Sequence, residues 1–266
     1  MYRFKLYDNI LKNRLIAYGC SWTEGEGCDI TIESNLSSDE LKHFRNQNSW
    51  VKLLADKLNI SEVINNGISG NSNRKLFNQI IDDVESGKIK KGDFVCIMFS
   101  SSLRDYVPFL PNGEWISWSV KHLIQLPTKF YKSYKGKSSK FDVFLQKYKK
   151  FFLSNLFSQD YYNYVNQNYI IFLQKLLSEY DIEYIMMDAF ENMIQEPVHN
   201  DFRYLIDVSS YFGKLEYTLK DYLINSSQPN LWEAGITPLK FLHPNKNGYE
   251  LIANKLYEFI QTKNLK

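Results

Sequence analysis

Short apolar runs that end in Gly, Ser and Asn alternate with helical patterns along the first part of the chain, and this order restricts the fold more than any other feature. Leu15-Ile16-Ala17-Tyr18 is a short buried strand that breaks at Gly19-Cys20-Ser21. A helical pattern follows over 39–58, interrupted near Asn46–Asn48, with Trp50, Val51, Leu54 and Leu58 in its apolar stripe. A second strand over 62–65 runs into a Gly- and Asn-rich loop over 66–73. A helix over 74–86 then places Leu76, Ile80 and Val84 on one face. Phe94-Val95-Cys96-Ile97-Met98-Phe99 is continuously apolar, the pattern of a strand buried on both faces. The order β-α-β-α-β is the signature of a parallel sheet with right-handed crossovers. A long helix over 161–180, a strand over 181–188 and a last helix over 249–262 extend it. The expected fold is a three-layer α/β/α domain with a mainly parallel sheet, formed by the 266 residues as one unit.

In such folds ligands bind beyond the carboxyl ends of the strands. That edge collects Ser21 after the first strand, the Gly70 loop after the second, Ser100-Ser101-Ser102 after the third, and Asp188 after the last. His243, held before Pro244 at the start of the closing helix, completes the set. A serine hydroxyl, an imidazole and pre-formed hydrogen-bond donors are the minimum machinery of acyl transfer. Each residue also has a plainer role open to it. Ser21 and Gly70 are ordinary turn residues, His243 a helix-capping residue, and Asp188 a strand-end cap. Arg104 either meets a substrate carboxylate or phosphate or makes a structural salt bridge.

Three motif blocks resemble the SGNH/GDSL hydrolase family. Gly19-Cys20-Ser21-Trp22-Thr23-Glu24-Gly25 is similar to the family's nucleophile block, in the form of a sub-branch reading Gly-Cys-Ser-Phe-Thr. Asn65-Asn66-Gly67-Ile68-Ser69-Gly70-Asn71-Ser72-Asn73 is similar to the block carrying an oxyanion-hole glycine. His243-Pro244-Asn245 with Gly248 is similar to the block carrying the base. The resemblance implies a flavodoxin-like SGNH fold and an ester hydrolase with Ser21 as nucleophile and His243 as base. The N–H groups of Ser21 and Gly70 then form the oxyanion hole, and no metal or organic cofactor is required. Two positions depart from the family pattern. Phe99-Ser100-Ser101-Ser102 stands where a Gly-x-Asn-Asp block is usual, so the second donor is a hydroxyl of Ser100 or Ser101, or Asn73 reaching in, or is missing. Lys240 stands where the acid three residues before the histidine is usual. The imidazole is then oriented by a backbone carbonyl or by Glu233 or Asp188, or the site is a Ser–His dyad.

Residues 106–160 interleave aromatic residues with lysines and read as an insertion or cap. They form a solvated helical hairpin, a lid over a sugar or polyanionic substrate, or a single-strand nucleic-acid surface. A net charge of +2 gives no pull toward nucleic acid or a membrane surface. The odd count of three cysteines argues against a disulfide framework. The first residues show no apolar signal segment, so a cytoplasmic location is expected. Aromatic residues make up 16% of the chain, more than a core absorbs, which favours a sugar-stacking groove. The expected activity is hydrolysis of an acyl, preferably acetyl, ester on a carbohydrate or small molecule. The alternatives are transfer of the acyl group to a glycan hydroxyl, or a degenerate glycan-binding or structural protein.

Overall fold

The computed structural model describes residues 14–28, 36–107, 116–119, 150, 154, 158–191, 204–213, 217–226, 231–232 and 243–264. Strands β1 (Arg14–Gly19), β2 (Glu62–Gly67), β3 (Asp93–Phe99) and β6 (Glu183–Asp188) form an all-parallel sheet in the order β2-β1-β3-β6. The registers are continuous. Arg14 pairs with both Glu62 and Asp93 at one edge, Gly19 pairs with Gly67 at the other, and Phe99 pairs with Asp188. All four strands therefore end along one rim.

The period of two along each strand divides the core. Leu15, Ala17, Cys96, Met98, Ile185 and Met187 face one side. There they pack with Trp50 and Leu54 of α3 (Trp50–Lys57) and with Ile252 and Leu256 of the closing helix α7 (Lys246–Asn264). Ile16, Tyr18, Val95, Ile97, Tyr184 and Met186 face the other side. They meet Leu76 and Ile80 of α4 (Asn73–Glu85) and Ile170, Leu173 and Leu177 of α5 (Gln159–Glu179). Two apolar layers over one buried sheet give the three-layer α/β/α arrangement.

The helical stretch over 39–58 is two helices, α2 (Ser38–Asn48) and α3, because Ser49 is extended at ψ 156. A capping box between Ser37 and Glu40 starts α2. The stretch over 106–160, expected to be helical in one reading, instead opens with antiparallel pairing of β4 (Arg104–Val107) and β5 (Ile116–Ser119). Most of the remaining insertion lies outside the described residues. Between β6 and α7 the structure adds a 3-10 turn at Val208–Ser210 and a helix, α6 (Leu219–Asn225), capped by Thr218 and Asp221. Cys20, Cys28 and Cys96 are buried free thiols. Among the described residues no helix is long and apolar enough to cross a membrane.

Candidate active site

Ser21 opens a single helical turn, α1 (Ser21–Glu24), directly after β1 and Cys20. The turn closes at Gly25, whose φ of 98° is left-handed backbone suited to glycine. Its backbone is seated on the sheet from two sides. Asn65 on β2 donates through Nδ2 to the Thr23 carbonyl at 2.7 Å, and Thr23 Oγ1 contacts Met98 Sδ on β3 at 3.5 Å. The loop after β2 is docked to the same turn. Ile68 N–H donates to the Gly19 carbonyl at 3.1 Å, and Ser69 N–H donates to Glu24 Oε2 at 2.6 Å. Gly70 sits in this loop at φ 72°.

His243 reaches the turn from the far end of the sequence. Asn245 accepts the Gly248 N–H at 3.0 Å through Oδ1, which caps α7, and its Nδ2 donates to the Trp232 carbonyl at 3.0 Å. A bridge between Trp232 and Pro244 and a bond from Asn245 N–H to the Leu231 carbonyl fix the residues around the histidine. His243 Nε2 then lies 3.0 Å from Ser21 Oγ, across 222 positions of sequence. Ser21 is 3% exposed, so this contact is sheltered from bulk water.

The same nitrogen has a second neighbour that the motif reading missed. Glu26 Oε2 lies 3.0 Å from His243 Nε2. Tyr249 on α7 donates to the Glu26 carbonyl at 2.6 Å, so the helix that follows His243 also holds the Glu26 backbone. Burial alone raises the Glu26 carboxyl; hydrogen bonds from His243 and Ser69 and the charges of His243 and Arg45 outweigh it and hold the group below its ordinary value. Arg45 Nη1 lies 3.9 Å from Glu26 Oε1. The signal available in sequence was an acid between two glycines, Gly25 and Gly27, one step past the nucleophile turn.

Of the proposed orienting acids, Asp188 lies at the end of β6. It shares the face of Tyr184 and Met186 by alternation, and Tyr211 O–H donates to its Oδ1 at 2.5 Å. Burial, with the Asp188 charge beside it, pushes the Tyr211 hydroxyl well up, so the phenol stays protonated and holds this carboxylate. His243 approaches beside α7, which packs on the opposite face. Glu233 and Lys240 lie outside the described residues.

The proposed donors also separate. Asn73 spends its whole amide as a clamp. Nδ2 donates to the Ser100 carbonyl at 3.1 Å and to Asn166 Oδ1 at 2.6 Å, while Oδ1 accepts the Ser100 N–H at 2.8 Å. It therefore shapes the loop after β3 and has no amide hydrogen left for an oxyanion. Ser100 Oγ, by contrast, is buried without a hydrogen-bond partner among the described residues. Ser101 and Ser102 donate to Glu191 Oε2 at 3.0 and 3.3 Å. Beside the nucleophile, Trp22 packs against Phe190 and Trp232 with ring centroids 4.9 and 5.8 Å apart.

No family model matches the sequence. No curated protein matches it either. Among solved structures, similarity extends over 92–93% of the chain at low identity. A member of the lipolytic protein G-D-S-L family from Veillonella parvula is 15% identical, with 92% of this chain and 96% of that one covered and a TM-score of 0.34. An alpha/beta hydrolase enzyme from the metagenome of Lake Arreo is 15% identical, with coverage of 93% and 94% and a TM-score of 0.45. A catalytic mutant of an acetylxylan esterase from Geobacillus stearothermophilus is 17% identical, with coverage of 93% and 94% and a TM-score of 0.35.

Proposed function

We propose that the protein is a serine esterase of the SGNH/GDSL type. The observation that carries this reading is the 3.0 Å contact between Ser21 Oγ and His243 Nε2 at the carboxyl rim of the sheet. Ser21 attacks the ester carbonyl and passes its proton to His243 Nε2. The backbone N–H groups of Ser21 and Gly70, with the Ser100 hydroxyl, meet the oxyanion. The C–O bond breaks, Nε2 returns the proton to the leaving alkoxide, and water releases the acid from the acyl-enzyme by the same steps.

Glu26 belongs to this chemistry through its position. A neutral imidazole offers Nε2 either as donor or as acceptor, and two oxygens face it. An imidazolium satisfies both, with its N–H shared between Ser21 Oγ and the Glu26 carboxylate. The Glu26 carboxylate thus stands where it stabilises the positive charge that develops on the ring as Ser21 gives up its proton, as differential stabilisation requires. The half-buried rings of Phe190 and Trp232 beside Trp22 favour a sugar-bound acyl group, whose flat faces stack on aromatic rings.

The test is labelling by a fluorophosphonate probe together with release of p-nitrophenol from p-nitrophenyl acetate and of acetate from acetylated xylan. Wild-type protein is labelled and turns over, and Ser21→Ala does neither. A folded wild type that takes up no label overturns the reading.

A further inference from the structure

We infer that Arg104 is the recognition residue for a carboxylate carried by the substrate, so that the preferred ester is anionic. This rests on the esterase reading above and gives its substrate class. Arg104 starts β4 immediately after the turn that leaves β3, with its N–H bonded to the Ser101 carbonyl at 3.0 Å. It thus stands on the rim that carries Ser21. Its guanidinium lies 5.5 Å from the centre of the Phe190 ring, and that ring packs on Trp22, the residue next to the nucleophile. One aromatic ring separates the cation from the catalytic turn.

Arg104 Nη1 is buried and has no hydrogen-bond partner among the described residues. A guanidinium cannot shed its charge by deprotonation, and a buried donor without an acceptor is costly. Native structures pair such groups, so each exception requires an explanation. Glu191 is the nearby acid that an internal ion pair would use, but its Oε2 instead accepts from the Ser101 and Ser102 hydroxyls. The Ser100 hydroxyl on the same loop is likewise buried without a partner. With the Ser100 hydroxyl left to the oxyanion, the planar cationic fork of Arg104 and its orphaned Nη1 match the two oxygens of a carboxylate. Phe190, packed edge-to-face on Trp22, lies beside the guanidinium and gives the rest of the ester an apolar wall.

The experiment compares matched esters on wild type, Arg104→Gln and Arg104→Lys. The pairs are mono-4-nitrophenyl succinate against 4-nitrophenyl pentanoate, with the charge on the acyl side, and 4-acetoxybenzoate against phenyl acetate, with the charge on the alcohol side. Wild type is expected to favour the charged member of one pair, and Arg104→Gln to lose about ten- to a hundred-fold in kcat/KM on that member alone. Arg104→Lys, which keeps the charge but not the fork, falls between them. No preference in either pair, or an equal loss on charged and neutral esters in a variant with wild-type melting, overturns the inference. If wild type cleaves none of the four, the esterase reading fails instead. Binding of succinate and benzoate to Ser21→Ala, with and without Arg104→Gln, then decides the inference by itself: weakening of about tenfold or more by the Gln substitution supports it, and unchanged or absent binding overturns it.

Discussion

At the scale of single residues the site turns on one imidazole nitrogen. His243 Nε2 has Ser21 Oγ and Glu26 Oε2 each 3.0 Å away. Replacing Glu26 by Gln keeps the shape but removes the negative charge that faces the ring as it takes the Ser21 proton. A charge-assisted hydrogen bond contributes about 1.5–3 kcal/mol, so kcat on p-nitrophenyl acetate should fall about ten- to a hundred-fold with KM little changed. An unchanged kcat would show that Glu26 is only a neighbour. The same variant reports on stability. In the folded protein the Glu26 carboxyl ionises below its ordinary 4.5, held there by His243, Ser69 and Arg45 against the effect of burial. Its stabilising contribution is therefore complete above the ordinary value and is lost as the pH falls through the lower folded value. Melting curves of wild type and Glu26→Gln should differ at neutral pH and converge on acidification. A gap that stays constant across the acid range would contradict that ionisation.

At the scale of elements, the nucleophile turn is placed by what β2 lacks. A Cβ on Gly67 would lie 2.3 Å from the Glu24 nitrogen and 2.6 Å from the Thr23 carbonyl carbon, both backbone atoms of α1. Gly67→Ala must push α1 away from the sheet, at a cost of about 1–3 kcal/mol typical of overpacking. Because Ser21 rides on α1, a displacement near 1 Å costs activity as well, about a hundred-fold. Esterase assay beside melting temperature checks this; full activity with lowered stability would mean that the turn relaxes without moving Ser21. The β-α-β-α-β order was legible because β1 and β3 are continuous apolar runs, Val63-Ile64 of β2 leads into a Gly- and Asn-rich loop, and the helical stretches between them carry apolar stripes. The β4–β5 pairing was missed although Pro111-Asn112-Gly113 between the two strands is a turn signal, because the aromatic and lysine pattern of the longer stretch masked it. The serine and the histidine could be placed from their punctuation: glycine and cysteine before one, proline and a capping asparagine after the other. Glu26 escaped because nothing in a linear motif tells that a left-handed Gly25 will fold the chain back toward His243. Parity along β6 places Asp188 with Tyr184 and Met186, on the side where the Tyr211 hydroxyl donates to it.

At the scale of the whole molecule, the two rims of the sheet do different work. At the amino rim Arg14 donates to Asp93 through Nε at 2.9 Å and Nη2 at 2.7 Å, and the Lys90 N–H adds a bond at 2.9 Å. The Asp93 side chain is fully buried, and the pair joins the starts of β1 and β3 at the centre of the sheet. Among the described residues, no buried side-chain polar atom at that rim lacks a partner. At the carboxyl rim Ser100 Oγ and Arg104 Nη1 do. Stability and chemistry are therefore separable by substitution. Asp93→Ala removes both carboxylate bonds of the guanidinium and should cost about 3 kcal/mol, the lower end for a broken buried pair, because Arg14 keeps 18% exposure, the Lys88 carbonyl at 2.8 Å and Glu62 at 3.7 Å. Since β1 and β3 are buried almost throughout between the rims, Ser21, Glu26 and His243 should keep their geometry below the lowered melting point. Urea titration should show the loss in unfolding free energy, while kcat measured well below the transition stays at the wild-type level. A large drop in kcat in the still-folded variant would mean instead that the amino rim sets the position of Ser21 through β1, and that the two rims form one mechanical unit.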